Sequence, residues 1–119
     1  MMELKHLLFS YGTLQLEYVQ LENYNRTLKG ERDKLAGYKI ENLQITDTTI
    51  LEKSQMEYHP IALKSNNQND FIEGILFKIT DSELAETDKY EVNQYHRILE
   101  TFKSGKKAWV YVAINNNNK

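Results

Sequence analysis

The chain's 119 residues suit one domain, since a single hydrophobic core supports itself at roughly 100 to 150 residues. Lysine and arginine total 15 against 17 aspartates and glutamates, and the net charge of -2 gives no field to draw in nucleic acid or an anionic membrane surface. The absence of cysteine removes disulfides, thiolate metal sites and a cysteine nucleophile together, and no run approaches a signal-peptide core or the ~18 apolar residues of a membrane span, so the expectation is a cytoplasmic protein.

From Lys5 to Tyr11 the residues Leu7, Leu8 and Phe9 form a nearly continuous apolar run closed by Gly12, the pattern of a strand buried on both faces and central in its sheet. Thr13 suits the cap of a helix with apolar positions at Leu14, Tyr18, Leu21 and Leu28 and an end at Gly30. Leu35 to Ile45 lacks a helical period and carries Gly37, which predicts a strand with an irregular middle. Asp47 to Glu57 is too mixed to assign. Pro60 reads as the residue before a short edge strand over Ile61 to Leu63, because proline cannot donate to a ladder.

Ser65 to Asp70 is polar throughout and predicts a loop between two strands. Phe71 to Ile79 alternates, with Phe71, Ile75, Phe77 and Ile79 on one face and Ile72, Gly74 and Leu76 on the other; Gly74 marks a bulge or the close approach of another backbone. Thr80-Asp81-Ser82-Glu83 is a capping box that starts a helix running to Tyr90 or Glu91. Tyr95 to Phe102 and Ala108 to Ile114 read as a hairpin turned at Ser104 and Gly105. Residues 115–119 have nothing to bury and read as a disordered tail, which leaves a single domain over residues 1–114. About six strands with two main helices make an α+β fold, its strands curled into a small mixed β-barrel so that few edges stay open.

Glu91 lies seven residues beyond Leu84 and three beyond Asp88, on one face of that helix with both; the same spacing also fits a helix that has ended by Tyr90, with Glu91 solvated. Tyr95 and Arg97, two apart on a strand, leave the same side of the sheet and either line one pocket or pack in the core and pair with a surface acid. Gly12 either permits a positive φ after the strand or lets a ligand approach. His6, His59 and His96 lack metal-ligand spacing, and there is neither a hydrolase elbow around Ser10 or Ser82 nor a glycine-rich phosphate loop, so no metal and no bound nucleotide is expected. The eight tyrosines are too irregularly spaced to read as a nucleic-acid stacking platform.

Taken in order, Tyr11-Gly12-Thr13-Leu14, the Gly74 strand, Asp88-Lys89-Tyr90-Glu91 and Tyr95-His96-Arg97 resemble the γ-glutamyl cyclotransferase-like family, which includes the γ-glutamylamine cyclotransferases and the plant avirulence-induced proteins. The resemblance implies a small mixed β-barrel with flanking helices, and a pocket formed by the Tyr11–Leu14 turn and closed by Glu91 as catalytic residue. It implies conversion of a small γ-glutamyl amide or amine conjugate into 5-oxoproline and a free amine, without metal or cofactor. Ser10 in place of an apolar residue, Thr87 in place of leucine, and Gln15-Leu16-Glu17 after the turn depart from the family's pattern and bear on the substrate more than on the fold. A non-catalytic module that keeps the pocket and binds the same small molecule is the alternative.

In such a reaction the substrate's α-amine attacks its own γ-carbonyl, and one carboxylate can take the ammonium proton and return it to the departing amine. Closure of a five-membered ring has a high effective molarity, so positioning supplies much of the acceleration. The N–H groups of Gly12, Thr13 and Leu14 are then the candidates to hold a substrate carboxylate or developing oxyanion, with Tyr11 shaping the pocket and orienting Glu91. Asp88, Tyr95 and Arg97 complete the pocket or support it; a pairing of Arg97 with Glu91 would lower a pKa that acid–base work needs raised, which favours a supporting role for Arg97.

Overall fold

A computed structural model describes residues 3–44, 58–90 and 95–113. Strand β1 (His6–Ser10) leads through a 3-10 turn (Thr13–Gln15) into helix α1 (Glu17–Tyr24), followed by β2 (Gly30–Ala36), β3 (Tyr38–Gln44), β4 (Tyr58–Lys64) and β5 (Phe71–Ile79). Helix α2 (Asp81–Tyr90) and the hairpin of β6 (Tyr95–Thr101) and β7 (Lys107–Ala113) complete the described elements. The fold is α+β. Its seven strands form one sheet in the order β2-β5-β1-β7-β4-β3, with β6 added on β7. β1 is central, as its continuous apolar run predicts.

The sheet is not a closed barrel: β2 and β3, at the two ends of the order, do not pair with each other. They are successive in the chain, and the bend between them at Gly37 (φ +83) makes the sheet curl. The irregular strand predicted from Leu35 is therefore two strands, and the first starts at Gly30, where the sequence suggested only a helix end. The Gly37 N–H donates to the Asp70 carbonyl (2.8 Å) and the Gly37 carbonyl accepts from the Ser65 N–H (2.9 Å), which ties the bend to the loop between β4 and β5. The hairpin turn secures the free edge of β2. Lys103 N–H donates to the Lys34 carbonyl, and the Asp33 carboxylate accepts from the Ser104 N–H and hydroxyl.

Alternation along the strands divides the apolar side chains between two clusters. Phe9, Leu35, Ile72, Leu76, Phe102 and Val110 fill the inside of the curled sheet, while Leu8, Val19, Phe77, Ile79, Leu84 and Tyr90 pack between the sheet and the helices. The two faces predicted for Phe71–Ile79 sort in this way from Ile72 onward, while Phe71 is exposed. Gly74 is required by close approach: a Cβ there would lie 2.4 Å from the Ser10 carbonyl oxygen.

The capping box starts α2, with the Glu83 N–H donating to Thr80 Oγ1 (3.1 Å) and the Thr80 N–H to Glu83 Oε1 (2.9 Å). The first helix is shorter than predicted. It ends at Tyr24, where Asn25 adopts a left-handed conformation (φ 58) and donates to the Leu21 carbonyl. Its buried residues are Val19, Gln20 and Tyr24; Tyr18 and Leu21, predicted to face the core, are exposed, and Leu28 lies beyond the helix. Gln20 is buried because its amide donates to the Leu14 carbonyl and accepts from the Leu28 N–H. The predicted edge strand after Pro60 is also corrected: β4 lies between β7 and β3 and contains the proline.

The unassigned stretch Asp47–Glu57 and the tail at residues 115–119 lie outside the described residues. Among the described residues no helix is long and apolar enough to cross a membrane.

Candidate functional site

β7 pairs with β6 along its whole length on one edge, and on the other it is shared between two strands. Leu8 of β1 is in register with Trp109, and Ala62 of β4 with Val112. Between these two rungs β1 and β4 part, leaving a crevice that no ladder fills, at the point where β1 ends in Ser10-Tyr11-Gly12.

Tyrosine hydroxyls take over the main-chain bonding that a continuous ladder would supply there. Tyr11 donates to the Tyr111 carbonyl (2.5 Å) and accepts from the Ala62 N–H (3.0 Å), and so bridges β7 and β4. Tyr95 donates to the Pro60 carbonyl at 2.5 Å. The nitrogen of Pro60 projects to the same strand edge as the Ala62 N–H, two residues on, and that edge faces the crevice. A proline fits in this interior strand because no ladder bond is asked of it.

The crevice opens into a small cleft of about 30 Å³ that is continuous with solvent. Tyr11, Gly12, Thr13 and Leu14 form one wall, and Pro60, Tyr95 and Tyr111 face them. Gly12 has φ -140, so the positive-φ explanation for this glycine does not hold. A Cβ at that position would come within 3.2 Å of Pro60 Cγ; the glycine lets the two walls approach closely.

Beyond Gly12 the chain turns tightly, with the Gln15 N–H donating to the Gly12 carbonyl (3.1 Å) and the Leu16 N–H to the Thr13 carbonyl (2.9 Å). The N–H groups of Thr13 and Leu14, first in the 3-10 turn, find no acceptor among the described residues. The Gln15 side-chain amide donates to the Ser10 carbonyl (2.6 Å) and braces the turn against the end of β1. Thr13 and Leu14 are both buried, and Thr13 Oγ1 meets the Tyr90 hydroxyl at 2.6 Å.

Behind the Tyr111 wall, Asp88 on α2 receives Arg97 through Nε (2.8 Å) and Nη2 (3.0 Å) and the Tyr111 hydroxyl at 2.5 Å. The Arg97 guanidinium lies 4.4 Å from the centroid of the Trp109 ring. Burial pushes the Asp88 carboxyl up, but the hydrogen bonds from Arg97 and Tyr111 outweigh it and hold the group below the usual carboxylate range. The hydrogen bond to Asp88 likewise raises Arg97.

Tyr11, Gly12, Thr13, Leu14 and Tyr95, singled out from the sequence, thus share one cleft, and Asp88 and Arg97 form an ion pair linked to it through Tyr111. Tyr95 and Arg97 part in role: one hydroxyl closes the crevice, the other side chain holds α2 to the sheet. Glu91 lies outside the described residues. Sequence reading missed Phe9, Pro60, Tyr90 and Tyr111. A usable signal existed for Tyr111, since pairing back from the predicted turn at Ser104 and Gly105 sets it opposite Arg97; Pro60 reaches the cleft through long-range pairing alone. Among the described residues no three histidine, aspartate or glutamate side chains gather as a metal ion would require.

A family model described as "Gamma-glutamyl cyclotransferase, AIG2-like" matches residues 8–119. No curated protein sequence matches the chain significantly. Among solved structures, an Arabidopsis thaliana protein determined in solution superposes with a TM-score of 0.74 at 21% identity, over 98% of this chain and 67% of its own. A second Arabidopsis thaliana protein gives 0.70 at 22% identity, over 92% of this chain and 69% of its own. A structure described as a gamma-glutamyl cyclotransferase gives 0.64 at 19% identity, over 92% and 67%. At these identities the structural likeness is one of fold.

Proposed function

Because the chain belongs to the γ-glutamyl cyclotransferase, AIG2-like family, whose model spans residues 8–119, we propose that it converts a small γ-glutamyl amide or amine conjugate into 5-oxoproline and a free amine, with Glu91 as general acid and base. The observation that carries this reading is the cleft at the β1–β4 divergence, whose wall is the Tyr11–Leu14 turn, in which the Thr13 and Leu14 N–H groups have no acceptor among the described residues.

The reaction asks for three things. The substrate is held bent, so that its α-nitrogen meets the γ-carbonyl carbon; the Tyr11–Leu14 wall opposite Pro60 and Tyr95 supplies that confinement. Negative charge developing on the carbonyl oxygen, or already present on the substrate's carboxylate, is met by the turn's amides. Glu91 takes a proton of the α-ammonium, the nitrogen attacks, and the same carboxyl gives that proton to the departing amine as the original C–N bond breaks; the second proton lost by the ring nitrogen ends on the released amine, which leaves as an ammonium ion. No covalent intermediate on the protein is needed. Glu91 directly follows Tyr90, whose hydroxyl touches Thr13, and this adjacency supports assigning it the proton transfers. Arg97, engaged with Asp88, is the support of α2 in this scheme.

The reading is tested by incubating the protein with a panel of γ-glutamyl amides and amines and measuring free 5-oxoproline. Product from at least one member is expected. Ligand-induced rise in melting temperature with no product from any member would favour the non-catalytic binding module instead.

A further inference from the structure

Glu83, Thr87 and Tyr90 stand at i, i+4 and i+7 on α2 and share one face. Each takes a polar partner from the N-terminal segment. Arg26 meets Glu83 through Nε (2.7 Å) and Nη2 (2.8 Å), the Tyr24 hydroxyl meets Thr87 Oγ1 at 2.5 Å, and Thr13 Oγ1 meets the Tyr90 hydroxyl at 2.6 Å. Thr87 donates its own proton to the Glu83 carbonyl (2.8 Å), so the hydrogen shared with Tyr24 belongs to the tyrosine. Thr87 is fully buried and Tyr90 and Thr13 nearly so.

An apolar helix contact tolerates small sliding, whereas a hydroxyl pair weakens steeply as its geometry is lost, and a buried hydroxyl left without its partner carries a desolvation cost. These rungs therefore fix α2 along its axis as well as against its neighbour. The last rung ends on Thr13, inside the turn that lines the cleft.

We propose that Tyr90 and the Thr13 side chain are positioning residues, whose hydroxyl pair locks the last turn of α2 to the Tyr11–Leu14 turn and so keeps the donor half and the proton-transfer half of the site in register. The proposal rests on the cyclotransferase reading above, in which the residue following Tyr90 does the proton chemistry. It gives Thr13 two separable contributions, its N–H toward substrate and its hydroxyl toward α2.

Thr13→Val keeps the N–H and the shape of the side chain, and Tyr90→Phe keeps the ring. Each variant is expected to lower kcat for 5-oxoproline release by about 10- to 100-fold with KM changed by no more than about threefold, since a small misplacement of reacting groups is felt mainly in the chemical step. The double variant should lose far less than the product of the two single losses, because both remove the Thr13–Tyr90 contact. Thr13→Ser, which returns the hydroxyl, should recover part of the loss, and Tyr90→Phe keeps the test readable if Thr13→Val fails to fold. A kcat within about twofold of wild type in the folded single variants, or losses that multiply in the double variant, would overturn the proposal and leave the cyclotransferase reading standing. A wild-type protein without turnover on any γ-glutamyl compound overturns that reading and this proposal with it.

Discussion

Glu83 has two tasks at the start of α2, closing the capping box on Thr80 and receiving Arg26 from the end of the first helical segment. The Arg26 hydrogen bond holds its carboxyl below the usual range, against burial, which acts in the opposite direction. A carboxyl whose folded-state pKa is depressed stabilises the fold above its unfolded value of about 4.3, and that contribution is lost as pH falls through the lower folded value. Unfolding midpoints measured from pH 7 downward should therefore fall below about pH 4.3, and Glu83→Gln should flatten that limb while costing about 1–3 kcal/mol at pH 7. Tyr11 is the corresponding residue at the crevice. Tyr11→Phe leaves the Tyr111 carbonyl and the Ala62 N–H without their bridge, and a loss of about 1–3 kcal/mol in urea unfolding is expected, with little loss of apolar contact.

Among the elements, β5 and the hairpin make the firmest demands on sequence. Gly74→Ala would drive a Cβ to 2.4 Å from the Ser10 carbonyl and 2.7 Å from the Phe9 ring, and backbone on one side leaves no flexible group to yield. We expect destabilisation of about 1–3 kcal/mol, read by denaturant unfolding. Asp33→Ala removes the acceptor of the Ser104 N–H and hydroxyl and should release the hairpin turn from β2, seen as faster amide exchange at Lys103 and Ser104. Local signals made several elements legible: the capping box at Thr80, the alternation in β5 and the turn at Ser104–Gly105 each encode their own geometry. The first helix was misread for an identifiable reason. Gln20 occupies a buried position by bonding two main-chain groups, so a polar residue does the work of a core residue while Tyr18 and Leu21 face out, and hydrophobic periodicity points to the wrong side.

At the scale of the whole molecule, the candidate site follows from how the strands are ordered. β7 can pair with only one strand at a time on its inner edge, β1 and β4 take it in turn, and the cleft lies where one hands over to the other. The Tyr11–Leu14 half of the cleft was legible because it is contiguous in the sequence and ends an apolar strand. Pro60 was not, because the register of β4 against β7 is set by distant parts of the chain, and a proline ordinarily argues for an edge strand. The barrel expected from the strand count is a curled open sheet, with the bend at Gly37 and the clamp at Asp33 drawing its ends together.

The proposed cyclotransfer in this cleft, with Glu91 moving the proton, is tested by comparing 5-oxoproline release by wild type and by Glu91→Gln, with the circular dichroism spectrum and melting temperature of both recorded. Release by the wild type and a fall of about 10²- to 10⁴-fold in a Gln variant that stays folded are expected. Equal release from the two proteins would contradict the account.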